Sequence, residues 1–153
     1  MRQDSRLSRL LHVLLHMDGH DGPLTSETIA AMLGSNPAVV RRTMAGLREA
    51  GYVRSEKGHG GGWTLSRPLE EITLLDVYRA LGHAELFAFG LSSEDPTCLV
   101  EQAVNSAMRK TMLEAEQLLL QRFGEVRLSD LAADFGARRA RHLDCGATQA
   151  HAH

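Results

Sequence analysis

The stretch LTSETIAAMLGSNPAVVRRTMAGLREA, residues 24–50, decides the fold. Thr25 or Ser26 can cap a helix, Glu27 suits its positive end, and Ile29, Ala30, Met32 and Leu33 give an inward face over about two turns. Gly34 then supplies the left-handed residue that ends a helix. Asn36 and Pro37 restart the chain as N-cap and first helical position, and Val39, Val40, Met44 and Leu47 continue the apolar pattern until Gly51 stops it. Two short helices joined by Gly-Ser-Asn spell a helix-turn-helix, whose second member is the recognition helix. Its outward face carries Arg41, Arg42, Thr43 and Arg48, and its first turn offers Asn36 and Ala38.

On the C-terminal side, residues 52–56 and 63–67 alternate apolar and polar positions around Lys57-Gly-His-Gly-Gly-Gly62, which predicts a β-hairpin with a flexible basic tip. Its glycines allow the backbone to lie along phosphates or in the minor groove, so the hairpin reads as a wing. On the N-terminal side, residues 8–17 place a wide apolar face at helical spacing and make helix 1. An amphipathic helix follows from Leu69, with Thr73 as a cap, and the longest helix is expected over residues 97–123. The stripe Val100, Val104, Met108, Met112, Ala115 and Leu119 steps along it by three or four. About 26 residues make a rod of about 39 Å, too long for a body this size to cover, and a second copy is the simplest cover.

The expected fold class is therefore mainly α with a small β-hairpin: a winged helix-turn-helix domain over 1–82, a connecting loop over 83–96, a dimerisation helix with a short closing helix over 97–135, and a flexible tail over 136–153. At 153 residues, 43% apolar and 24% charged, the chain suits one packed domain with an accessory element. The net charge of −2 conceals an asymmetry. Residues 1–67 hold nine basic side chains against six acids, net +3, and residues 68–153 hold eight against thirteen, net −5. A basic front half suits a polyanion. No window has the roughly 20 apolar residues of a membrane span, and no signal-peptide core follows the charged start, so a cytoplasmic protein without a membrane partner is expected. Neither a Ser–His–Asp spacing nor a phosphate loop in strand-to-helix context is present, and no enzyme is expected.

Ala50-Gly-Tyr-Val-Arg-Ser55, Lys57-Gly58, Gly61-Gly62, Trp63 and Leu65 match the wing, and Ile72-Thr-Leu-Leu-Asp-Val77 the following helix, of the Rrf2 family of bacterial transcriptional regulators, which the chain resembles over roughly residues 5 to 135. The resemblance implies a winged-helix domain, dimerisation through the long helix, and binding to a roughly palindromic operator. Well-known members hold an iron–sulfur cluster on three cysteines near the start of that helix. This chain keeps only Cys98 there, so it resembles the cluster-free members and no cofactor is expected.

The expected function is that of a homodimeric DNA-binding regulator, read as a repressor, whose partners are double-stranded DNA and a second copy. Candidate DNA contacts are Thr25, Ser26, Asn36, Ala38, Arg41, Arg42, Thr43, Arg48, Lys57, Gly58, His59 and Gly60. Arg42 leads for base-edge contact, because a guanidinium pairs bidentately with guanine, while Arg41, Lys57 and His59 suit phosphates. Two alternatives stay open: a winged-helix module for protein contact with an idle basic face, and a thiol-based redox regulator acting through Cys98 at a helix start. Trp63 is expected to pack the hairpin. His12, His16 and His20 recur every four residues, but Gly19 interrupts them and no carboxylate or thiol shares the spacing, so no metal site is assigned. His142, Cys145, His151 and His153 lack a rigid frame, and Phe87 and Phe89 lie near a possible effector position without naming a ligand.

Overall fold

The computed structural model describes residues 5–82, 86, 87, 90, 91 and 97–149, with side chains through Arg141. Helix α1 (Arg6–Asp18) leads to the helix-turn-helix pair α2 (Ser26–Leu33) and α3 (Pro37–Glu49). The hairpin β1 (Val53–Glu56) and β2 (Gly62–Leu65) follows, antiparallel, with Val53 opposite Leu65 and Glu56 opposite Gly62. A 3-10 turn (Leu69–Glu71) opens onto α4 (Leu74–Ala80), and α5 (Leu99–Glu125) and α6 (Leu128–Gln149) complete the chain. This is a winged helix-turn-helix followed by a long C-terminal helix.

The helix ends follow the capping chemistry. Thr25 Oγ1 accepts the Thr28 N–H at 3.1 Å and Asn36 Oδ1 accepts the Val39 N–H at 3.0 Å, each satisfying an amide that the helix cannot. Gly34 adopts φ 59°, ψ 41° and sends its N–H back to the last turn of α2. At α4, Thr73 and Asp76 form a reciprocal capping box: the Thr73 N–H donates to Asp76 Oδ2 at 2.9 Å, and the Asp76 N–H to Thr73 Oγ1 at 3.2 Å.

The core joins all these elements. Val13 and Leu14 of α1, Ile29 of α2, Met44 and Leu47 of α3, Ile72, and Val77 of α4 are fully buried, and so is Leu128, the first residue of α6. The Leu128 N–H donates to Ile72 O at 2.9 Å and the Leu74 N–H to Val126 O at 3.0 Å, so the segment after α5 returns to the winged domain and plugs it. The core therefore draws on the segment that the sequence reading assigned to dimerisation and closure.

The sequence reading departs from the structure at the C-terminus. The short closing helix expected to end at Phe135 runs on as α6 to Gln149, so residues 136–149 of the expected tail are helical. Ala137, Arg138, Arg139 and Ala140 are strong helix formers, and Arg138 Nε pairs with Asp134 Oδ2 at 2.7 Å across one turn, enough to carry the helix past Gly136. Much of the 83–96 loop, including Phe89, lies outside the described residues, as do His151 and His153 and the side chains of His142 and Cys145. Among the described residues no helix is long and apolar enough to cross a membrane.

Candidate nucleic-acid interface

α3 is held from behind and left open in front. Val40, Met44 and Leu47 anchor it in the core. Behind its middle, α4 approaches so closely that a Cβ on Gly46 would collide with the Ala80 carbonyl. The wing is fixed on the other flank: Leu24 and Trp63 exchange backbone hydrogen bonds at 3.0 and 2.8 Å, and the buried Trp63 indole donates to Ser26 Oγ at 3.0 Å. Trp63 thus packs the hairpin, as its sequence context implies. Ser26 is a correction, because its side chain is buried and its hydroxyl oxygen accepts the indole proton, which takes it off any DNA-facing surface.

The remaining DNA candidates divide by what their side chains already do. Thr25 is exposed but spent on capping, with its hydroxyl also 2.9 Å from that of Thr28. Asn36 commits its Oδ1 in the same way. Arg41 lies toward α2, where its guanidinium pairs with Glu27 at 2.8 Å. Arg48 is 5.9 Å from the centroid of the Trp63 ring, a cation–π distance that ties α3 to the wing. Thr43 donates its hydroxyl proton to Val39 O at 2.9 Å.

Arg42 is exposed on the outward arc of α3 and has no ion pair among the described residues. Ala38 lies one turn before it on the same arc and is exposed too. At the wing, Lys57, Gly58, His59 and Gly60 are all exposed, with Gly58 at φ 95° and Gly60 at φ 77°, a backbone that other residues resist. The fold therefore leaves Ala38, Arg42 and the wing tip exposed, and engages Arg41 with α2, Arg48 with the wing and Ser26 with Trp63.

Two side chains missing from the sequence-based set join this surface. Arg9 of α1 and Val39 of α3 line one recess of about 80 Å³ with Leu10, Leu33 and Met44. Arg9 is exposed and lines this recess from α1. Its separation of 33 residues from Arg42 hid it, although the basic pair Arg6 and Arg9 at helical spacing was a readable signal.

Toward its C-terminus the long helix packs on α4: Tyr78 meets Phe123 edge-on at 6.0 Å, and a Cβ on Gly124 would lie 3.5 Å from Leu75 Cδ2. Its N-terminal half buries Asn105 but leaves apolar side chains in solvent: Leu99 and Val100 are 78% and 72% exposed, Val104 50% and Met108 36%, and further along Leu113 and Leu118 are exposed too. Met112 and Leu119 of the expected stripe are half-buried and Ala115 is exposed. Cys98 is the exposed N-cap of α5, and the Glu101 and then the Val100 backbone amides lower its thiol pKa. The rings of His12 and His16 lie 4.6 Å apart, tilted by 49°, and partial burial followed by the neighbouring His12 lowers the His16 pKa.

The sequence model of Rrf2, described as an iron-dependent transcriptional regulator, matches residues 3–134. YwnA of Bacillus subtilis (strain 168) is 31% identical over 129 residues, covering 84% of this chain and 95% of that one. Protein rrf2 of Nitratidesulfovibrio vulgaris is 30% identical over 125 residues, covering 82% and 80%. Among solved structures, CymR, the global cysteine regulator of B. subtilis, superposes with a TM-score of 0.62 at 22% identity, over 87% of this chain and 97% of that one. IscR of T. potens gives a TM-score of 0.64 at 20% identity, over 88% of each chain. At these identities the two structures speak for the fold. The chain has two cysteines, of which Cys98 stands at the start of α5, and among the described residues no three His, Cys, Asp or Glu are grouped to hold a metal.

Proposed function

The chain belongs to the Rrf2 family of DNA-binding transcriptional regulators, and from that premise we propose that it binds a palindromic operator as a cytoplasmic homodimer and represses transcription there. The observation that carries the reading is Arg42, exposed and without an ion pair among the described residues, on the outward arc of a capped α3 backed by α4. A guanidinium held this way can enter the major groove and pair bidentately with guanine. Lys57 and His59 at the wing tip and Arg9 on α1 flank it on two sides and suit phosphate contacts, which fix register without reading sequence.

The open N-terminal half of α5 supports the homodimer. Its apolar side chains are too many and too contiguous to be left in water, and a symmetric partner presenting the same strip would cover them. Two copies of α3 would then address half-sites about 34–36 Å apart, one turn of the duplex. No cluster enters the proposal, because one thiolate cannot replace three.

Sequencing of DNA fragments captured by the purified protein tests this reading. An inverted repeat should be enriched, and sedimentation should show two chains per duplex. Absence of any enriched sequence, or one chain per site, would overturn it.

A further inference from the structure

We propose that Val39 is a specificity-determining residue that reads the C5-methyl group of a thymine next to the base pair read by Arg42. The inference deepens the DNA-binding role of α3 and rests on it. The recognition helix enters the groove by its N-terminal end, so the first-turn side chains meet base edges. Here that turn is Pro37, Ala38 and Val39, preceded by Asn36.

Asn36 is the one polar side chain of this group. Its Oδ1 already accepts the Val39 N–H at 3.0 Å, so the two-point pairing by which asparagine recognises adenine is closed to it. One turn on, Thr43 donates its hydroxyl proton to the Val39 carbonyl, which leaves the hydroxyl oxygen able only to accept and the methyl group able to make apolar contact. The first turn of α3, Pro37 to Val39, thus presents only apolar side chains, with Arg42 on the turn that follows.

Val39 is the largest apolar group of that leading turn and is 44% exposed, although its neighbour Val40 is buried in the core. Local structure gives no reason for it, since a β-branched residue is a poorer helix former than alanine. Its uncovered flank borders the recess that also takes in Thr43 and Arg9. An exposed valine bordering a recess that Arg6 and Arg9 also line matches one feature of the major groove: the thymine methyl, an apolar group set among phosphates. Val39 and Arg42 are three residues apart, about 4.5 Å along the helix axis, against about 3.4 Å per base pair along the duplex. The thymine therefore falls about one base step from the guanine.

Replacing each thymine of the captured operator in turn by deoxyuridine removes the methyl alone. Wild-type protein should lose about fourfold in affinity at one position per half-site, the value of one buried methyl-sized group. Val39→Ala should be insensitive there, Val39→Thr, which keeps a γ-methyl, should stay sensitive, and both should remain sensitive to changes at the guanine. Specific binding that ignores every thymine-to-deoxyuridine change sinks the proposal without any variant, and so does a Val39→Ala protein as sensitive as wild type. Failure to form a specific complex on any captured DNA would instead remove the DNA-reading role of α3 beneath it.

Discussion

α3 and α5 both leave one face in solvent, but they leave opposite kinds of surface. α3 presents Arg42 and Ala38 between fastened arginines, whereas the first half of α5 presents Leu99, Val100, Val104 and Met108. A guanidinium in water costs little, so α3 can wait for a polyanion. A contiguous apolar strip is unfavourable in water, so α5 calls for a constant partner. Exposure in the isolated chain thus has two meanings under the proposed function, a DNA-reading surface in one helix and half of a dimer interface in the other.

The contrast breaks most sharply through stability. Leu128 lies in the long-helix half of the sequence but is fully buried in the winged-domain core, so Leu128→Ala should cost about 2–5 kcal/mol of unfolding free energy, read from a denaturant midpoint. A smaller effect, within about 1 kcal/mol, would mean that α6 is only laid against the domain. Next comes the interface: Val104→Glu combined with Met108→Glu should give a folded monomer by sedimentation velocity. Losing the second half-site should also lower operator affinity by about 10²-fold or more. A double variant that stays dimeric would assign the strip to another partner.

Within α3 the effects should separate its arginines. Arg42→Ala should weaken specific binding by about 1–3 kcal/mol and relax preference at one base pair, while affinity for random DNA changes far less. Arg41→Ala should be the mildest: its pair with Glu27 is exposed on both sides, so stability should move by about 1 kcal/mol or less, and binding less than for Arg42→Ala. Equal losses for the two would show that the Glu27 pair opens on DNA and that Arg41 reads or neutralises alongside its neighbour.

The residues legible in advance are those whose chemistry is local. Thr25, Gly34, Asn36, Pro37 and Thr73 act within four positions of themselves, and capping or left-handed geometry needs only the residue and its near neighbours. Alternation around the glycine-rich tip did the same for the hairpin. Ser26 could not be judged in this way, because the indole that occupies its hydroxyl lies 37 positions away.

The order of elements, the recognition helix and the apolar strip of α5 were therefore determined by the sequence itself, through period, caps and turns. Tertiary structure alone decided which arginine of α3 is free, since Glu27 and the Trp63 ring reach Arg41 and Arg48 only after α2 and the wing have packed. It also brought Arg9 beside Val39 at one recess and Leu128 into the core. The physical reason is range: backbone preferences act between neighbours along the chain, whereas ion pairs, ring contacts and burial act between neighbours in space.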